Sequence, residues 1–167
     1  MADRGEFDRL LAENERYAES FDRSALTAVP LRNLAIVACM DARVDVEAAL
    51  GLRTGEAHVI RNAGGLATED VIRSLIVSQQ LLGTDEIVVI GHTGCGLLNA
   101  DEDALRERLT DVTGEAFDMG FGSFDDLEAS ILASVELLRR HPWLKRVPVH
   151  GLAFDVATGR LQVIASP

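Results

Sequence analysis

Leu34-Ala-Ile-Val-Ala38 runs straight into Cys39, and Glu86-Ile-Val-Val-Ile90 runs straight into Gly91-His92-Thr93-Gly94-Cys95-Gly96. Unbroken apolar runs of this length suit strands buried on both faces, the habit of parallel sheets covered by helices. Between the two lies a helical pattern. Val71, Leu75 and Leu82 make one stripe, widened by Ile72 and Ile76, and Ser78 interrupts it with a side chain small enough to lie on a sheet. Thr68 is placed to cap this helix, Glu69 and Asp70 favour its first turn, and Gly83 ends it. Strand, helix and strand in alternation imply a parallel sheet.

Working outward, residues 44–50 read as a short helix stopped by Gly51. A short strand from about Ala57 to Arg61 leads into the loop Asn62-Ala63-Gly64-Gly65. Residues 5–21 carry Phe7, Leu10, Leu11, Tyr17 and Phe21 at helical spacing among acidic and polar residues, giving a helical arm over residues 1–30. A helix packed on its own domain fits that pattern nearly as well. Downstream, residues 101–110 form a charged helix, and Met119 to Ser123 a loop. Ser123 caps a helix from Phe124 to Arg140, which Pro142 terminates. Val147 to Phe154 and Leu161 to Ala165 are strands joined by a turn, hence a hairpin. The expected fold class is α/β: a mostly parallel central sheet of about five strands, an antiparallel edge hairpin and helices on both faces, in a single domain over 1–167.

The 167 residues suffice for one buried core, and 47% hydrophobic with 26% charged residues is the balance of a globular chain. No apolar run approaches the roughly 18–20 residues that cross a bilayer, and Met-Ala-Asp-Arg-Gly-Glu-Phe has no apolar stretch of a secretory signal, so a cytoplasmic location is expected. A net charge of −11 without a local Lys/Arg cluster argues against nucleic acid and anionic membrane as partners.

Cys39 and Cys95 are the two cysteines. Free cysteines commonly pack as small hydrophobes, and a disulfide is rare in the cytosol. Here both lie at strand ends. In open parallel sheets ligands bind beyond the carboxyl ends of the strands, so Cys39, His92 and Cys95 meet at one rim if their strands are neighbours. Two thiolates and an imidazole suit tetrahedral zinc, with Zn–S about 2.3 Å and Zn–N about 2.0–2.1 Å. Three protein ligands leave a fourth position for water or for Asp41, as in catalytic rather than structural zinc. The expected cofactor is one zinc per chain.

Cys39-Met-Asp-Ala-Arg43, Arg61-Asn-Ala-Gly-Gly65 and Gly91-His-Thr-Gly-Cys-Gly96 closely resemble the β-class carbonic anhydrases, in particular the short prokaryotic branch. The resemblance extends over nearly the whole chain from Leu34. It implies zinc held by Cys39, His92 and Cys95, and reversible hydration of carbon dioxide to bicarbonate by zinc-hydroxide attack. It also implies that Asp41 either closes the site as a conditional fourth ligand or turns to pair with Arg43. The lesser alternative for the same pair is a structural salt bridge in a loop. Zinc lowers the pKa of bound water to about 7, and an Asp41 held by Arg43 would accept the hydroxide's hydrogen bond.

His58 is a candidate proton carrier or substrate donor, and Asn62, Ala63, Gly64 and Gly65 are candidates to shape the pocket through backbone groups. Family members form dimers or larger even-numbered assemblies with the amino-terminal segment over the partner, a role that suits residues 5–21. Ala42 replaces a common Ser, and Gly94 a common Asp. Two rivals stand beside the main reading: a hydrolase of carbon disulfide or carbonyl sulfide on the same scaffold, and a non-catalytic zinc-binding regulatory protein.

Overall fold

The computed structural model describes residues 5–22 and 26–167. Its elements are α1 (Glu6–Glu19), β1 (Leu34–Cys39), α2 (Val46–Leu50), β2 (Ala57–Asn62), a 3-10 turn (Ala63–Gly65), α3 (Glu69–Gln80) and β3 (Glu86–His92), followed by α4 (Glu102–Thr113), α5 (Leu127–Arg140), β4 (Val149–Phe154) and β5 (Leu161–Ala165). One sheet runs in the order β2-β1-β3-β4-β5, parallel except for the β4–β5 hairpin at its edge. This is the expected α/β architecture.

Because side chains alternate across a strand, β1 feeds two cores. Ala35 and Val37 join Val71, Leu75, Val135 and Leu138 of α3 and α5 on one face. Ile36 and Ala38 join Val44, Val46 and Phe154 on the other, where α2 is the covering helix. Enclosing a side chain such as Leu75 or Ile36 stabilises the fold by about 1.5–3 kcal/mol. Asp45, Thr68, Asp101 and Asp126 each accept a first-turn N–H from their helix, supplying partners that helix starts otherwise lack.

Several expected boundaries move. The third helix ends at Gln80 rather than Leu82. The last helix starts at Leu127 under Asp126, not at Phe124 under Ser123, because Phe124 spends its N–H on the Leu97 carbonyl and its own carbonyl on Asn99 N–H. The fourth strand starts at Val149 rather than Val147, since Pro148 has no N–H to extend the ladder.

Helix α1 differs from the others. None of its residues is buried; Phe7 is 70% and Leu10 59% exposed, and the rings of Tyr17 and Phe21 touch each other at 5.5 Å. Residues 1–4 and 23–25 of the expected arm lie outside the described residues. Among the described residues no helix is long and apolar enough to cross a membrane.

Candidate metal centre

β1 and β3 are adjacent and parallel, with Ala38 opposite Ile90, so Cys39 and His92 leave the sheet side by side at its carboxyl edge. β2 flanks β1 on the other side, which makes the β1–β3 gap the point where strand order reverses and a crevice opens. Cys95 reaches the same place from the loop after His92. All three side chains are buried, and their ligand atoms lie within 4.8 Å of one another.

The imidazole is oriented. His92 Nδ1 donates to the Thr93 carbonyl at 3.0 Å, which leaves the lone pair on Nε2. That nitrogen is buried and has no hydrogen-bond partner among the described residues. A buried polar atom without a partner is costly, and one aimed at two sulfurs is the arrangement a soft divalent cation satisfies. Ligand atoms of a tetrahedral zinc sit roughly 3.3–3.8 Å apart, given its bond lengths, so small side-chain shifts suffice. The donor set fits zinc. Burial pushes the Cys95 thiol up, while the Leu97 N–H on its sulfur works the other way.

Asp41 stands beside this cluster, its Oδ2 3.8 Å from His92 Nε2 and so outside hydrogen-bond range. Arg43 holds it in a fork: Nε donates to Oδ1 at 2.9 Å and Nη2 to Oδ2 at 2.7 Å, and the Arg43 backbone N–H adds a third bond to Oδ1 at 2.9 Å. These bonds keep the Asp41 carboxyl well below the usual carboxylate range. Arg43 Nη2 also donates to the Gly94 carbonyl at 2.9 Å, tying the loop after β1 to the loop after β3.

Arg61 is a residue whose role the sequence did not disclose. Its Nε donates to the Cys39 carbonyl at 2.8 Å and its Nη2 to the Asp41 carbonyl at 2.7 Å. Both acceptors are backbone atoms, which leave no mark in sequence. The available signals were its place at the head of the Arg61-Asn-Ala-Gly-Gly65 motif and its position at the carboxyl end of a strand beside β1.

The loop after β2 braces the site from below. Asn62 donates to the Leu66 carbonyl at 2.9 Å and accepts Leu66 N–H at 3.0 Å, folding the loop on itself. Gly65 has φ 66°, and a Cβ there would stand 2.9 Å from both Cys39 N and Ile90 O. Only glycine lets the loop press against the β1–β3 seam. His58, in contrast, is not brought to the cluster. It lies four residues before Asn62, roughly 13 Å along the strand at about 3.3 Å per residue. Both ring nitrogens are engaged, Nε2 with the Ala28 carbonyl and Nδ1 with Ser78 Oγ, each at 2.8 Å.

The family model for carbonic anhydrase matches residues 34–118. Beta-carbonic anhydrase 1 of Mycobacterium tuberculosis is 44% identical over 158 residues, covering 94% of this chain and 96% of the relative. The chain belongs to the β-class carbonic anhydrases. A carbonic anhydrase crystal structure from Streptococcus mutans superposes with a TM-score of 0.92 at 38% identity, covering 98% of this chain and 99% of that one. A carbon disulfide hydrolase of Acidithiobacillus thiooxidans is 38% identical, covering 78% of this chain and 76% of its own length. As a member of the β-class carbonic anhydrases, the chain is an enzyme of the lyase class.

Gly94 has φ 62°, and a Cβ there would meet nothing closer than Arg43 Nη1 at 3.8 Å. The left-handed turn suits glycine, and a larger residue there would be strained although no atom crowds the position. Ala42 is exposed between Asp41 and Arg43, whose pairing it leaves intact.

Proposed function

We propose that the chain is a zinc-dependent, cytoplasmic carbonic anhydrase that hydrates carbon dioxide reversibly to bicarbonate and a proton. The observation that carries this reading is His92 Nε2: buried, tautomerically fixed as an acceptor and aimed at Cys39 and Cys95. Those three residues would hold one zinc per chain. When bound, the ion would supply Lewis acidity that makes hydroxide available near neutral pH.

The chain's own residues supply orientation. Asp41, kept ionised by Arg43, is a hydrogen-bond acceptor for the attacking water and takes no positive charge from it. Pairing with Arg43 also holds Asp41 off the cluster, so that it is a ligand only after that fork opens. Carbon dioxide is uncharged and needs apolar walls with few donors. The loop Asn62–Gly65 serves that purpose through its backbone, since the Asn62 side chain is spent on Leu66. In one protomer His58 is left as a brace for the β2 edge.

The uncovered apolar face of α1 supports assembly as a homodimer or a higher even-numbered homo-oligomer, with α1 lying over a second copy. The carbon disulfide hydrolase relative keeps a second substrate in view. Stopped-flow hydration of carbon dioxide, run beside a carbon disulfide assay on protein of measured zinc content, separates the readings. Hydration far above buffer is expected. Hydration no faster than buffer, with zinc bound, rejects the assignment.

A further inference from the structure

The loop after β3 is held by a chain of hydrogen bonds that starts at a carboxylate. Glu102, in the first turn of α4, accepts Ser123 N–H on Oε1 at 2.7 Å and Phe121 N–H on Oε2 at 3.3 Å. Arg106 donates to the same Oε2 at 2.5 Å and lies 5.8 Å from the centre of the Phe121 ring, which stacks on Phe117 at 4.6 Å. The next residue, Phe124, gives its N–H to the Leu97 carbonyl at 3.1 Å and takes Asn99 N–H at 2.8 Å, a short parallel bridge. Asn99 adopts φ 56°, a left-handed conformation costly for a residue other than glycine and held by that bond. Between these two anchors, Leu98 N–H donates to the Cys95 carbonyl at 3.1 Å and closes the turn that carries the ligand.

We propose that Glu102 is a positioning residue for the metal centre: by gripping Ser123 and Phe121 it fixes Phe124 against Leu97–Asn99, and so holds the turn in which Leu98 N–H closes back on the Cys95 carbonyl. A carboxylate that accepts two backbone amides has directional hold on a loop without secondary structure of its own. A turn held at both ends fixes the direction in which its ligand side chain points, and such outer-shell contacts are worth about 10–100-fold in metal affinity. The inference rests on the zinc reading of Cys39, His92 and Cys95.

The test uses the zinc-loaded chain and a chromophoric chelator that reports zinc release. Glu102→Gln keeps one acceptor but loses the charge and the two-point grip; release is expected about tenfold faster than from the unaltered chain. Glu102→Asp, shorter but charged, should restore part of the difference. Phe117→Ala removes ring stacking in the same loop without touching the Glu102 bonds, and should lower thermal stability while leaving release unchanged. In cobalt-substituted protein the thiolate-to-metal charge-transfer band should shift in Glu102→Gln and not in Phe117→Ala. Release from Glu102→Gln at the original rate, or equal acceleration by Phe117→Ala, overturns the proposal. An unaltered chain that binds no zinc would overturn the metal reading itself.

Discussion

The rim at the ends of β1 and β3 and the helix α1 stand at opposite extremes of the same chain. At the rim, almost every polar group is answered: Arg61 takes two carbonyls, Arg43 takes Asp41 and Gly94, and the buried His92 takes Thr93 through Nδ1. What remains is one nitrogen lone pair between two sulfurs. On α1, apolar groups are exposed and none of the described residues covers them. An unmet polar demand inside and an unmet apolar demand outside call for different partners, an ion in the first case and a protein surface in the second. The contrast shows how a partner's chemistry is written in the kind of group left over.

The largest expected effect strikes the rim. Cys95→Ser should drop zinc far below one per chain by elemental analysis and abolish carbon dioxide hydration with it. Full zinc occupancy in that variant would remove Cys95 from the ligand set. Asp41→Ala is expected to keep zinc while hydration falls by about 10–100-fold, because the ligands remain and the oriented acceptor is lost. Unimpaired turnover would leave the Asp41–Arg43 pair as a salt bridge only.

The helix is tested by charge. Phe7→Asp combined with Leu10→Asp should reduce the assembled mass in sedimentation while a folded, zinc-loaded chain persists. An unchanged mass would mean that α1 covers nothing. The smallest effect concerns acid stability near α4. The amides of Ser123 and Phe121, with Arg106, pull the Glu102 carboxyl down to about 2 from its ordinary 4.5. A folded value below the unfolded one stabilises the chain fully above about pH 4.5, and that contribution is lost as pH falls toward about 2. The difference in melting temperature between the unaltered chain and Glu102→Gln should therefore be greatest above pH 4.5 and close on acidification. A difference independent of pH would assign the effect to packing.

Much of this was legible from residues alone. Leu34 to Ala38 and Glu86 to Ile90 announce themselves because strands buried on both faces need apolar side chains at every position, and Cys39 and His92 inherit their place from those strands. Thr68 was legible as a cap because it precedes acidic first-turn residues and an apolar stripe. Asp126 was not, since Ser123 offers the same local chemistry and the choice between them is made by a distant contact, Phe124 on Leu97. Arg61 and Glu102 escaped for a related reason. Each binds backbone atoms far along the chain, and a backbone acceptor looks alike at every residue. His58 reads as a functional histidine in sequence, yet strand register sets it opposite Ala35, at the far end of the strand from Cys39.

Arg43 does two jobs with one planar group, and the second has mechanical weight. The Nη2 that grips Asp41 also grips the Gly94 carbonyl, within the turn that carries His92 to Cys95. Under the proposed mechanism, a carboxylate that swung toward a bound ion would have to let go of a strut that spans both halves of the centre. The paired posture of Asp41 and a braced ligand turn would then come together, and losing the first would slacken the second.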